Sequence, residues 1–132
     1  MSGFADVTHR IGRAEIDRYA ELSGDNNPLH MDPEYAARTP FKTVIAHGPI
    51  GLQTVFEALS NWLGADGVPP GVRVDVSYRG PVHIDDQVTC HAEHVSDHAG
   101  DLTLSVRGTN QRGGEVLQAV VLVPRHLAPR ER

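Results

Sequence analysis

An aspartate and a histidine stand five positions apart in the stretch Ser23-Gly24-Asp25-Asn26-Asn27-Pro28-Leu29-His30, which reads as a loop that Pro28 stiffens. Further along, Ala46-His47-Gly48-Pro49 places a glycine amide at the start of a long apolar run. A carboxylate and an imidazole that reach the same water can share acid/base work. An N–H at the positive end of a helix can hold a developing oxyanion. An acid/base pair and an oxyanion donor are the minimum equipment for adding water to a carbonyl compound, or removing it. Pro49 has no N–H, so Gly48 would donate alone or with a group that the sequence does not identify.

Taken singly, each of these residues has a plainer role. An aspartate after Ser-Gly commonly caps a loop or the next turn. A lone histidine is more often a satisfied polar residue near the surface. His47 suits a structural role, bonding the backbone and shaping the turn before the helix. The spacing of Asp25 from His30 is what lifts both above these readings. Tyr19 and Phe56 read as core.

The elements that must position these residues follow from hydrophobic periodicity. Residues 4–11 read as a short strand. Over 13–23, Ile16, Tyr19, Ala20 and Leu22 or Ser23 fall at helical spacing, and Gly24 suits the end of that helix. Residues 25–31 read as loop. Asp32-Pro33-Glu34 opens a short helix over Pro33–Arg38, with Asp32 as cap, and Pro40 stops it. Residues 49–63 carry Ile50, Leu52, Val55, Phe56, Leu59, Trp62 and Leu63, apolar around most of the girth, which predicts a mostly buried helix closed by Gly64.

From Val72 the period becomes two, through Val74, Val76 and Tyr78. Gln87–Val95, Leu102–Asn110 and Glu115–Val123 follow as strands. The short links His98-Ala99-Gly100-Asp101 and Arg112-Gly113-Gly114 make them antiparallel. The last strand is almost wholly apolar and reads as central. The tail, 124–132, reads as frayed. An antiparallel sheet must bury one face, and the long helix is the element to bury it against. The expected architecture is α+β, a single hotdog fold over 1–132 with the sheet wrapped round a central helix.

The 132-residue chain is acidic, with a net charge of −5 and no basic stripe, which argues against nucleic acid as a partner. A single cysteine, Cys90, forbids an internal disulfide and points to a reducing compartment, so the expected location is cytoplasmic. Cys90 itself reads as a small packing residue. No apolar run is long enough for a membrane span, and no signal peptide is evident. Eight histidines invite a metal reading. Asp25, His30 and His47 lack a recognised ligand spacing, and strand alternation puts His91 and His94 on opposite faces, with His98 in the following turn, so no metal is expected.

Tyr19 through His30 resembles the signature of the MaoC-like, or (R)-specific enoyl-CoA hydratase, family: an aromatic, then Ser/Gly, Asp, any residue, Asn-Pro, an aliphatic and His. Ile45-Ala46-His47-Gly48 is similar to its second landmark, and Ser77-Tyr78-Arg79-Gly80-Pro81-Val82 to its aromatic-basic-x-Pro-Val strand. The match runs over most of residues 11–123 and extends to the catalytic subunit of mycobacterial (3R)-hydroxyacyl-ACP dehydratases. It implies a hydro-lyase acting on trans-2-enoyl thioesters of CoA or acyl carrier protein. In it Asp25 and His30 would hold the catalytic water, with Asp25 the base. The Gly48 N–H would hold the thioester oxygen. Asn27 would fix the loop or the water, and His47 would contact substrate, while Gln53, where the chain departs from many relatives, could change the acyl pocket or add a polar contact to substrate. No cofactor is required, because hydration transfers no electrons. A homodimer formed by edge-to-edge pairing of sheets is expected, with a second hotdog as the other choice. Lys42, Arg73 and Arg79 are candidates for phosphate contacts.

The chain departs from many relatives after the His-Gly pair, where Pro49-Ile50-Gly51-Leu52-Gln53-Thr54 replaces a methionine and small or hydroxyl residues. That bears on the acyl group more than on the reaction class. Two other readings compete. A hotdog thioesterase would use a carboxylate on the central helix, and Glu57 is there. A non-catalytic partner subunit would be expected to lose Asp25 or His30, and both are present.

Overall fold

The computed structural model describes residues 4–98 and 100–129. A five-stranded antiparallel sheet runs in the order β1-β3-β4-β5-β2, with β1 Val7–Ile11, β2 Arg73–Tyr78, β3 Asp86–His98, β4 Asp101–Thr109 and β5 Glu115–Pro124. Four helices stand between β1 and β2: α1 Arg13–Ser23, α2 Pro28–Met31, α3 Pro33–Ala37 and α4 Gly48–Leu63. The strand expected to be central, β5, is interior, while β4 is the middle one.

The sheet closes on α4. Val55 and Leu59 of that helix are fully buried, packed in one cluster with Leu104, Val106, Val121 and Val123 from the sheet and Ile11 and Ile16 from the N-terminal segment. Each fully buried aliphatic side chain contributes about 1.5–3 kcal/mol by leaving water. The helix is not buried around its girth. Gln53, Phe56, Glu57 and Asn61 form an exposed stripe, and Phe56, expected in the core, is 39% exposed. Positions three and four apart share a face, and the apolar composition of the run hid the phase of the one Phe that falls on it.

Two smaller expectations change. Within 25–31, read as loop, α2 makes one turn, because Asn27 Oδ1 accepts the Leu29 N–H at 3.0 Å and Pro28 presets φ. The tail read as frayed makes a 3-10 turn at Arg125–Leu127, and Leu127 and Ala128 pack against the core. Residues 130–132 lie outside the described residues, as do Ala99 and the side chains of His94 and His98. In β3 a register shift between Ala92 and His94 interrupts the alternation on which the opposite-face reading rested. Cys90 is fully buried, and burial pushes its thiol up to about 12, with nearby Asp6 adding to the effect. It is a packing residue. No helix among the described residues is long and apolar enough to cross a membrane.

Candidate active site

Two chain reversals bring the motif residues together. Gly24 ends α1 with φ 77°, its N–H bonded to the Ala20 carbonyl. Only glycine enters that region freely, so the chain turns there and delivers Asp25 outward. Asn27 then caps α2, which carries His30. The second reversal is the approach to α4, where His47 is the N-cap and Gly48 the first helical residue.

One ligand atom each from the Asp25 carboxylate, the His30 ring and the His47 ring lie within 4.8 Å of one another. The rings of His30 and His47 are stacked, with centroids 3.9 Å apart and planes at 29°. Tyr19 packs on the other ring, 4.8 Å from His47 between centroids. Asp25 is exposed, His30 half-buried and His47 only 3% exposed.

The hydrogen bonds fix which ring nitrogen is free. His30 Nδ1 lies 2.7 Å from the Ile45 carbonyl oxygen. A carbonyl only accepts, so Nδ1 carries the proton and Nε2 is left for water. His47 Nε2 lies 2.9 Å from the Asp25 carbonyl oxygen and donates to it by the same argument. His47 thus ties the Asp25 peptide to the start of α4, which is the turn-shaping role, and its buried Nδ1 has no partner among the described residues.

The Ile45 carbonyl that orients His30 is itself held. Ile45 bridges to His83, and the Ala46 N–H donates to the Val82 carbonyl at 2.7 Å. His83 is anchored by Asp86, whose Oδ2 accepts the His83 amide at 3.0 Å. Asp86 is 3% exposed and also accepts from Gln111 at 2.8 Å and from Arg112 at 3.3 Å. Burial alone would raise the Asp86 carboxyl, but Gln111, the His83 amide and Arg112 outweigh it and hold it below the usual carboxylate range.

At the head of α4 the Gly48 N–H finds no acceptor among the described residues, as expected of a first-turn amide. Gln53 stands in the second turn of α4 on its exposed stripe. It lines a cavity of about 190 Å³ with Ile11, Tyr19, Leu22 and Ile50, and Tyr19 also packs on His47. Of the proposed phosphate contacts, Arg79 is engaged with Gln118 and Glu115. Glu57, the alternative carboxylate, lies on the exposed stripe of α4 and is bonded by His9. What sequence reasoning did not supply was the Asp86–His83–Ile45 relay behind His30, because it joins β3 to the segment before α4 across a long separation in sequence.

The MaoC like domain model matches residues 4–115. An (R)-specific enoyl-CoA hydratase of Aeromonas caviae is 35% identical over 127 residues, covering 91% of this chain and 92% of that one. Another of the same name, from Rhodospirillum rubrum, is 31% identical over 123 residues, covering 91% and 85%. Among solved structures, an (R)-hydratase from A. caviae involved in PHA biosynthesis aligns with a TM-score of 0.76 and 30% identity over 91% of this chain and 92% of that one. With its hotdog fold and this family match over most of its length, the chain belongs to the MaoC-like domain family.

Proposed function

We propose that the protein reversibly hydrates trans-2-enoyl thioesters to (R)-3-hydroxyacyl thioesters. The observation that carries this reading is the convergence of the Asp25 carboxylate and the His30 and His47 rings within 4.8 Å, directly before a Gly48 N–H that has no acceptor among the described residues. The relatives' names support the reaction class and the hand of the product.

In this mechanism the Asp25 carboxylate and His30 Nε2 hold one water. Asp25 takes a proton from it, and the water oxygen bonds to the β-carbon. The double-bond electrons move through the α-carbon onto the thioester oxygen, which the Gly48 N–H stabilises at the positive end of α4. The pair returns when the α-carbon takes the proton from Asp25, which restores both the thioester and the carboxylate. Asn27 holds the loop through its cap, and His47 holds the Asp25 peptide. Gln53 and the cavity beside Tyr19 would meet the acyl group or its carrier.

The outer edge of β2 is unpaired among the described residues, which suits pairing with a second hotdog copy. A sedimentation mass equal to one chain would refute that part.

The test is a panel of trans-2-enoyl thioesters, offered on CoA and on acyl carrier protein, with loss of the conjugated absorbance followed. Asp25→Asn and His30→Ala should each lower the rate roughly 10²–10⁴-fold while remaining folded. A wild-type protein that leaves every thioester untouched would sink the reading, and release of free thiol would move it to Glu57 and a thioesterase.

A further inference from the structure

The oxyanion site described so far has one donor. Gly48 is followed by Pro49, which has no N–H to add, and such sites generally aim more than one donor at the developing charge.

Strand β2 ends in Tyr78, and its ring lies across the head of α4. A Cβ built on Gly48 would fall 3.0 Å from both Cε1 and Cζ of that ring and 3.2 Å from Cε2. It is therefore the hydroxyl-bearing end of the ring, not its flank, that covers Gly48. The phenol makes no side-chain hydrogen bond among the described residues, and neither the Gly48 N–H nor the phenol O–H has an acceptor there. Two unused donors thus meet at one helix terminus, with the positive end of the helix behind them. Tyr78 is 49% exposed, so a substrate can reach it from solvent. Partial burial pushes its phenol above the usual value, with the Tyr19 phenol adding to the effect, so it stays protonated and able to donate. Tyr19 also packs on His47, which links Tyr78 to the Asp25–His30 cluster.

We infer that Tyr78 is a catalytic residue whose phenol O–H is the second donor to the thioester oxygen, beside the Gly48 N–H. This rests on the hydratase reading above. No bond to Tyr78 forms or breaks in the step: the phenol O–H shortens its hydrogen bond as charge builds on the oxygen and lengthens it as the thioester is restored. A phenylalanine would keep the ring over Gly48 and lose only the donor.

Tyr78→Phe should be compared with wild type on trans-2-butenoyl-CoA, with kcat and KM measured separately and folding checked by thermal unfolding. The expected result is a fall in kcat of about 10²-fold, the low end for losing an oxyanion donor, with KM nearly unchanged and the same melting temperature. An unchanged kcat, or a change confined to KM, overturns the assignment while leaving the hydratase reading in place. An inactive wild type overturns both.

Discussion

The contact between Gly48 and Tyr78 separates stability from activity in a way one substitution can expose. Gly48→Ala puts a methyl 3.0 Å from the Tyr78 ring, closer than side chains settle, so something must give. Gly48 is not among the glycines with positive φ, so the helix accepts alanine without backbone strain. Alanine is favoured over glycine in a helix by up to about 1 kcal/mol. Tyr78 is half exposed, so the ring moves and α4 does not, at a cost on the order of 1 kcal/mol of the kind seen for mild overpacking. The two effects nearly cancel, and the melting temperature should stay close to wild type. Activity should not. The methyl crowds the approach to the Gly48 N–H and swings the phenol away, so the oxyanion loses its donors together. A loss of about 10²–10³-fold in kcat/KM is expected, equal to roughly 3–4 kcal/mol of transition-state stabilisation. Thermal unfolding and enoyl thioester hydration on the same preparation read both quantities. A Gly48→Ala protein that folds and hydrates as well as wild type would refute the placement of the oxyanion at this helix terminus.

Asp86→Ala strands the His83 amide, Gln111 and Arg112, and should cost about 2–3 kcal/mol at neutral pH. The Asp86 carboxyl is depressed in the folded protein, so its contribution is complete above the unfolded value near 4 and disappears as pH falls through the lower folded value. Urea midpoints of wild type and variant should therefore converge in acid, and a gap that widens there would contradict the assignment. Gly108→Ala sets a methyl 2.8 Å from Leu117 Cγ, and Leu117 is 1% exposed with nowhere to go, so chemical denaturation should show a loss of roughly 1–3 kcal/mol.

The parts of the molecule legible in the sequence are those with local causes. Gly24 and Gly64 end α1 and α4 in the left-handed conformation their positions suggested, because a helix stop needs only its own last turn. Asp32 accepts the Glu34 and Tyr35 amides as a cap should. Period-two alternation gave β2 for the same reason, since Val74 and Val76 face the core and Arg73, Asp75 and Ser77 do not. The spacing of Asp25 and His30 was readable too, and the structure does bring them together. What stayed hidden depends on distance or on brevity. One turn of helix at α2 is too short to show a period. The exposure of Phe56 depends on which face of α4 the sheet leaves open. The tautomer of His30 depends on the Ile45 carbonyl, fifteen residues away, and the ring over Gly48 comes from Tyr78 at the end of β2, thirty residues further along the chain.

The bond from His47 to Asp25 is made to the peptide oxygen, and the carboxylate plays no part in it. The carboxylate has one structural bond of its own, accepting the Asn27 N–H on Oδ1 at 3.2 Å, while Gly24 turns the loop and Asn27 caps α2. The fold therefore grips residue 25 by its main chain and asks of its side chain only an acceptor oxygen, which an asparagine also carries. A relative that had exchanged this aspartate for asparagine would keep the same loop, the same stacked imidazoles and the same helix start. Superposition alone would then score a working enzyme and a silent one as equals, and the residue at this one position would tell them apart.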